Sequence, residues 1–280
     1  MTLALCAPFE EGVFLFSDLR LSYELDLNPV AGQERPTSSL KTYFLNRDLA
    51  IAYSNGIQAG HLAVTEARRL SAIGTSTADI AEFLRVTCGQ KNGLAFLLAD
   101  ARNPVTIYKI WDGQLAGAQK GVFWIGDSTA AKLVLGADHH KNARALDGYF
   151  QEVLDSQRIP SVGGIVVTAR GTEKGFKFVS KMVLTSPYYK VQADGKQRAV
   201  DWGNAAAGGF GYTTLVPVEP GQNGWGVHFF QGRLGYFFRV DIEQDIGERL
   251  VWHDTDLQNA IDALQKELGF AIEAPGNVGV

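Results

Sequence analysis

Thr2-Leu3-Ala4-Leu5-Cys6-Ala7, then Glu10-Glu11-Gly12, then Val13-Phe14-Leu15-Phe16-Ser17-Asp18-Leu19-Arg20-Leu21-Ser22 read in succession as an apolar strand, a turn and a second strand that carries charge. In an extended chain Phe14, Phe16, Asp18 and Arg20 share one face, and Val13, Leu15, Leu19 and Leu21 share the other. Both faces are mostly apolar, as in a strand covered on both sides, so Asp18 and Arg20 are charges at the end of a core strand. Thr2 heads this hairpin. A small second residue permits removal of Met1, which would leave an α-amine beside a hydroxyl. An amine of pKa about 8 accepts a proton at neutral pH, so the hydroxyl would carry its own base.

Outward from the hairpin, residues 27–38 have the Pro, Gly and polar content of a surface loop. Strand signals resume at Lys41 to Leu45 and Leu49 to Ser54, joined by Asn46-Arg47-Asp48. Asn55-Gly56 follows, and from Ala59 the apolar set Ala59, Leu62, Ala63, Ala67 and Leu70 repeats at helical spacing. A second helix starts at Ser76, a capping residue with Asp79 in the first turn. Strands are expected at Leu94 to Leu98, Val105 to Ile110 and Gly121 to Ile125, helices at 128–136 and 142–156, and strands again at Ile165 to Ala169 and Phe176 to Leu184. Two sheets with helices outside them would bury all these faces, which is a layered α+β architecture. Beyond Pro187 the character changes. Gly203 to Gly226 is rich in glycine and small residues, Trp225 to Phe230 and Arg233 to Val240 form a hairpin turned at Gln231-Gly232, and Thr255 to Leu268 is an amphipathic helix. That helix carries the capping pattern Thr255-x-x-Gln258 and Gly269 as its stop.

Composition bounds the function. A chain of 280 residues, 46% hydrophobic and 20% charged, can bury a full core, as one large domain or a domain with an extension. A net charge of −4 with scattered Lys and Arg offers no nucleic-acid footprint. Cys6 and Cys88 stand far apart, with the character of small core residues rather than a disulfide framework or zinc site. No apolar run approaches the roughly 18 residues that span a bilayer, and no targeting segment is apparent. A cytoplasmic protein that makes no membrane contact and holds no cofactor or metal is expected.

These residues carry a resemblance. The chain resembles the β-subunits of proteasomes and their bacterial relatives, the threonine-peptidase branch of the N-terminal-nucleophile hydrolases. The matching elements are Thr2 at the head of the first strand, Gly12-Val13 and Ser17-Asp18-Leu19-Arg20 in the second, Lys41 opening the third, Asn55-Gly56 before a helix, and Ile125-Gly126-Asp127-Ser128 before another. Asp18 lies 16 residues after Thr2 and Gly56 lies 15 after Lys41, as in that pattern. The resemblance covers roughly residues 2–185. It implies a four-layer αββα sandwich over 1–185, with 186–280 as an extension packed on the core or on a neighbouring subunit.

The resemblance also implies a mechanism. The Thr2 hydroxyl would attack a peptide carbonyl, and water would hydrolyse the resulting ester. Lys41 would assist deprotonation and Asp18 would hold Lys41 by a charge-assisted hydrogen bond. The alternative for this pair is a buried structural ion pair. Arg20 would position the turn. The Gly56 N–H would serve as the oxyanion donor, or Gly56 is a plain strand-to-helix turn. Ser128 would orient the terminal amine, or cap its helix. The substrate would be a peptide or unfolded protein, the assembly a self-compartmentalising homo-oligomer, with a partner ATPase left unspecified.

The departures are specific. The stretch from Arg20 to Lys41 is about seven residues longer than the pattern, which puts a bulky loop near the presumed cleft. Arg158-Ile159-Pro160-Ser161-Val162-Gly163-Gly164 lacks the aspartate usual three residues before the serine, displaced at best to Asp155. Asp127 puts an acid where a small residue is usual. Two further functions are therefore carried: an amidase or acylase acting on a small amide, and a catalytically silent proteasome-like scaffold. His139-His140 lacks a carboxylate partner for metal, and His61, His228 and His253 accompany no Gly-x-Ser-x-Gly. Ala206-Ala207-Gly208-Gly209-Phe210-Gly211 opens no helix and is a poor phosphate cradle.

Overall fold

The computed structural model describes residues 2–20, 39–136, 141–156, 158–183, 185–191, 197–204, 211–230, 233–239 and 249–275. The expected loop at 27–38, His139-His140, the Gln231-Gly232 turn and most of 206–211 lie outside the described residues. The protein is mixed α/β with antiparallel sheets and, among the described residues, five helices. It falls into two compact units, with the chain passing from the first to the second at Lys177/Phe178 and returning at Pro220–Gln222.

The first unit begins with β1 (Leu3–Phe9) and β2 (Gly12–Ser17), paired in register from Ala4↔Ser17 to Phe9↔Gly12. Then come β3 (Thr42–Phe44), β4 (Leu49–Ser54), α1 (Ile57–Ala72), α2 (Thr77–Gln90), β5 (Ala95–Asp100), β6 (Thr106–Trp111), β7 (Gln114–Ala118) and β8 (Phe123–Gly126). α3 (Ser128–Leu135), α4 (Ala143–Asp155), β9 (Val167–Thr172) and β10 (Gly175–Phe178) complete the unit's elements. One sheet runs β10-β9-β2-β1-β8 and the other β3-β4-β5-β6-β7. β1, β2 and β8 of the first meet β3, β4, β5 and β6 of the second. That apposition is why β1, β4 and β5 are buried along nearly their whole length and show no polar alternation. Leu5, Phe16, Ile51 and Leu97 are among the fully buried side chains. α1 packs on β4 and α2 on β5 to β7, while α3 packs on β8 and on α4.

Helix ends follow local chemistry. Ser76 Oγ accepts the Asp79 N–H at the head of α2, as expected from the sequence. Asn142 caps α4 through the Ala145 N–H. α1 starts at Gly56, which is in the left-handed conformation and brings no side-chain cap.

The second unit contains β11 (Met182–Val183), β12 (Thr185–Val191), β13 (Gln197–Asn204), β14 (Tyr212–Pro217), β15 (Trp225–Phe229), β16 (Leu234–Phe238), β17 (Arg249–Trp252), α5 (Leu257–Leu268) and β18 (Ile272–Glu273). Its sheet runs β11-β14-β15-β16-β17, with β18 also on β14, and β12 and β13 pair as a separate hairpin. The expected β15–β16 hairpin and terminal helix are both present. Leu215, Phe237, Ile261, Leu264 and Ile272 form a buried cluster where α5 lies on the sheet. One detail corrects the sequence. The cap of α5 is Asp256, whose carboxylate accepts the Asn259 N–H, because the helix begins at Leu257 and the Thr255-x-x-Gln258 register is one residue early. Gly269 stops the helix with φ 74°, a conformation that costs glycine little.

Candidate active site

The chain's second and third residues are gripped through their backbone. Leu3 N–H donates to Asp18 Oδ1 at 3.1 Å, and Leu3 O accepts the Asp18 N–H at 3.2 Å. β2 has ended at Ser17, so Asp18 leaves the ladder and its side chain folds back over β1 instead of projecting along the strand. On the other side Leu3 pairs with Gly126 of β8, and Thr2 O accepts the Asp127 N–H at 2.7 Å. The approach at Gly126 is so close that a Cβ there would fall 1.7 Å from Thr2 O, and its φ of 96° is also a glycine conformation. Thr2 is thereby buried at the start of β1.

Lys41 joins the same group from the facing sheet. Its Nζ donates to Asp18 Oδ1 at 2.8 Å and to the Arg20 carbonyl. One carboxylate oxygen therefore serves both Leu3 N–H and the Lys41 ammonium. Asp18 Oδ2 takes a third donor, the Gly163 N–H, at 3.2 Å. The side chains of Lys41 and Asp18 are 2% and 0% exposed, so neither charge is shared with water. Burial lowers the Lys41 ammonium from the ordinary lysine value and raises the Asp18 carboxyl, and their mutual attraction opposes both shifts. A hydroxyl bridge, Ser17 Oγ to Thr42 Oγ1 at 3.0 Å, holds β2 against β3 next to this pair.

Asp127 is the residue whose part the sequence left unassigned. It caps α3 through Thr129 and Ala130 N–H at 2.8 and 2.9 Å, and its other oxygen accepts from Ser161 Oγ. Burial pushes its carboxyl up, but these three donors outweigh burial and hold it below the ordinary aspartate range. Ser128 is thus not the cap. It is the first residue of α3 and is exposed, because the carboxylate one position earlier reaches the free N–H groups. The aspartate in contact with Ser161 is Asp127, while Asp155, burial of which raises its carboxyl, accepts from Gln151 at the end of α4.

The segment from Ile159 to Gly164 ties these parts together. Ser161 reaches Asp127, and Gly163 meets Asp18 with its N–H while its carbonyl accepts the Leu19 and Arg20 N–H groups. Arg20 lies with its side chain over Gly163, where a Cβ would come within 3.1 Å of Arg20 Cδ. Gly56 is carried separately. It stands between β4 and α1 at φ 54°, a Cβ there would have only ordinary contacts, and among the described residues no hydrogen bond links it to the Thr2, Asp18 and Lys41 group.

Chemically the group offers a hydroxyl at the head of a strand, a buried cation on a carboxylate, and a second carboxylate with a hydroxyl partner. No known family's model matches the chain, and no curated protein matches it. Among the described residues no group of three or more His, Cys, Asp or Glu is gathered for a metal. Cys6 and Cys88 are free and buried, and burial pushes the Cys88 thiol up to about 12. His228 is buried with its Nε2 2.7 Å from the Thr255 carbonyl, in the second unit. No helix among the described residues is long and apolar enough to cross a membrane.

Proposed function

We propose that the chain is an N-terminal-nucleophile hydrolase of the proteasome β-subunit type, a threonine peptidase whose nucleophile is Thr2 after Met1 has been removed. The observation that carries this reading is the shared Asp18 oxygen, which couples the backbone next to Thr2 to the buried Lys41 ammonium. An ammonium has three N–H groups; two are spent on Asp18 and the Arg20 carbonyl, and in the proposed mechanism the third would serve the Thr2 hydroxyl. The apposed antiparallel sheets, with α1 and α2 against one and α3 against the other, support a four-layer αββα arrangement for the first unit.

In this mechanism Thr2 Oγ attacks the substrate carbonyl carbon while its proton passes to the freed α-amine. The Gly56 N–H receives the developing oxyanion, and the amide C–N bond breaks as the leaving amine takes the proton. Water, deprotonated by the same α-amine, then hydrolyses the Thr2 ester. Asp127 and Ser161 supply the polar anchor beside residue 2 and take the part assigned from sequence to Ser128 and an aspartate near Ser161. Assembly into a closed homo-oligomer that admits unfolded chains belongs to the same proposal.

Intact mass and covalent labelling test it. A sample without Met1 that gains one β-lactone or epoxyketone equivalent on Thr2, and loses it in Thr2→Ala, is the expected result. Met1 retained in full on a homogeneous sample, or a demethionylated sample that takes no label, overturns it, the latter in favour of a silent scaffold. Turnover of acyl amino compounds but not peptides would reassign the substrate to small amides.

A further inference from the structure

The sequence holds three Asn-Gly pairs, Asn55-Gly56, Asn92-Gly93 and Asn223-Gly224. In such a pair the glycine nitrogen can reach the preceding side-chain amide, because glycine has no Cβ to hinder the approach. The fold treats the three differently.

Asn92 and Gly93 lie between α2, which ends at Gln90, and β5, which starts at Ala95, and both are exposed. Their turn is closed by one bond, from the Leu94 N–H to the Lys91 carbonyl at 3.3 Å, longer than the usual range. Gly93 takes its third position with φ 75°, as glycine does in a turn of this class. Among the described residues neither the Asn92 amide nor the Gly93 N–H makes a hydrogen bond. Nothing holds the amide away from the nitrogen, and ring closure has a single weak bond to open.

The other two pairs are held. Asn55 is half-buried at φ 61°, set between β4, which ends at Ser54, and α1, which starts at Ile57. Its Nδ2 donates to the Gly93 carbonyl at 2.8 Å. Asn223 is half-buried and precedes Gly224, a buried residue at φ 132° packed so tightly that a Cβ would meet the Phe237 ring at 2.7 Å.

We propose that Asn92 is a self-modification site, converting to isoaspartate with water as the only reagent, and that the change unfastens Asn55. The Gly93 nitrogen attacks Asn92 Cγ, the N–Cγ bond forms and the Cγ–Nδ2 bond breaks. The proton of the Gly93 nitrogen leaves on Nδ2 as ammonia, and a five-membered succinimide remains. Water then opens the ring at the Asn92 main-chain carbonyl. One amide and one water give one acid and one ammonia, with no change in oxidation state. The main chain now runs through Asn92 Cβ, so the turn is longer by one methylene and carries a free carboxylate. Gly93, the next residue, supplies the carbonyl on which the Asn55 amide is fastened, and the insertion displaces it. The modification needs no role for Thr2; only an effect on activity, through Gly56, rests on the proposed function.

The test is ageing of the full chain at neutral pH. Peptide mass spectrometry maps the mass gained when an amide becomes an acid, and fragmentation separates isoaspartate from aspartate. Hydrogen exchange follows residues 54–60, where the Gly60 N–H donates to the Gly56 carbonyl. The expected result is at least tenfold faster conversion at Asn92 than at Asn55 or Asn223. Exchange over 54–60 should quicken in the aged wild-type chain and stay unchanged in equally aged Asn92→Gln, which does not form the five-membered ring. Conversion at Asn92 no faster than at the other two, or to aspartate alone, overturns the modification site. Isoaspartate at Asn92 with unchanged exchange over 54–60 overturns the link to Asn55. A fresh chain that takes no label at Thr2 fails the proposed function and leaves both readouts standing.

Discussion

Asp18 Oδ1 lies 2.8 Å from Lys41 Nζ and 3.1 Å from the Leu3 amide nitrogen, so one oxygen sets both the lysine and the strand that Thr2 heads. Removing it should be far worse than removing the lysine. Asp18→Ala orphans the Leu3 and Gly163 N–H groups together with a buried ammonium, and we expect a loss of about 3–5 kcal/mol in urea unfolding. Lys41→Met leaves the carboxylate with two backbone donors and should cost about 1–3 kcal/mol. Equal losses would mean that the ion pair, and not the backbone grip, dominates.

Asp127→Asn separates two duties of one side chain. Asparagine caps a helix about as well as aspartate, so the cap should be kept and the loss of stability held to about 1 kcal/mol, from the charge-assisted bond to Ser161. The charge beside residue 2 is lost, however. A carboxylate raises the pKa of a neighbouring amine, so on the proposed mechanism the acid limb of Thr2 labelling should move to lower pH, on the order of one unit. Ser161→Ala should slow labelling without removing that charge.

Asp100 gives a stability prediction with a definite sign. Burial pushes its carboxyl up, but the Arg102 guanidinium and N–H and the Thr77 hydroxyl outweigh burial and leave it below the ordinary value. A carboxyl depressed in the folded state contributes stability that is complete above its unfolded pKa, about 3.9, and is lost as the pH falls through the folded value. Asp100→Asn should therefore lower stability at pH 7 and flatten the fall between pH 4 and pH 2, followed by circular dichroism against acid.

Gly126→Ala should be among the most damaging small changes. The added methyl meets the Thr2 carbonyl of a paired strand, in a backbone conformation that alanine resists. Neither side can yield without breaking the β1–β8 ladder, and we expect a loss above about 2 kcal/mol with Thr2 labelling abolished.

At α5, Asp256→Ala should cost about 1 kcal/mol and Thr255→Ala little, read from thermal unfolding. The reverse order would restore the capping register expected from sequence.

What the sequence makes legible follows from which physics is local. β1, β2, β4, α1 and α2 were readable because apolar periodicity, Asn46-Arg47-Asp48 and the Ser76 cap are written in adjacent residues. β7 was not readable: Gln114-Leu115-Ala116-Gly117-Ala118 is largely exposed and has weak strand propensity, and it is a strand only because β6 lies beside it. β14 was hidden inside a glycine-rich region although all six of its residues are buried. At the candidate site, Thr2, Asp18 and Lys41 could be nominated through the family resemblance that their order and spacing carry. The bond from Ser161 to Asp127 spans 34 positions, and neither residue's neighbours in sequence point to the other.

The tie made by Ser161 and Gly163 has a consequence for biosynthesis. Thr2 leaves the ribosome early and Asp18, which holds Leu3, soon after, whereas Gly126 and Asp127, which hold residues 2 and 3 from the other side, and Gly163, which holds Asp18, emerge much later. The head of the chain can pair with β2 and Asp18 as soon as they are made, yet the set of bonds around it is complete only once residue 163 has been translated. On the proposed mechanism a nascent chain would carry its nucleophile long before it carried a working centre, and the order of synthesis itself would delay activity.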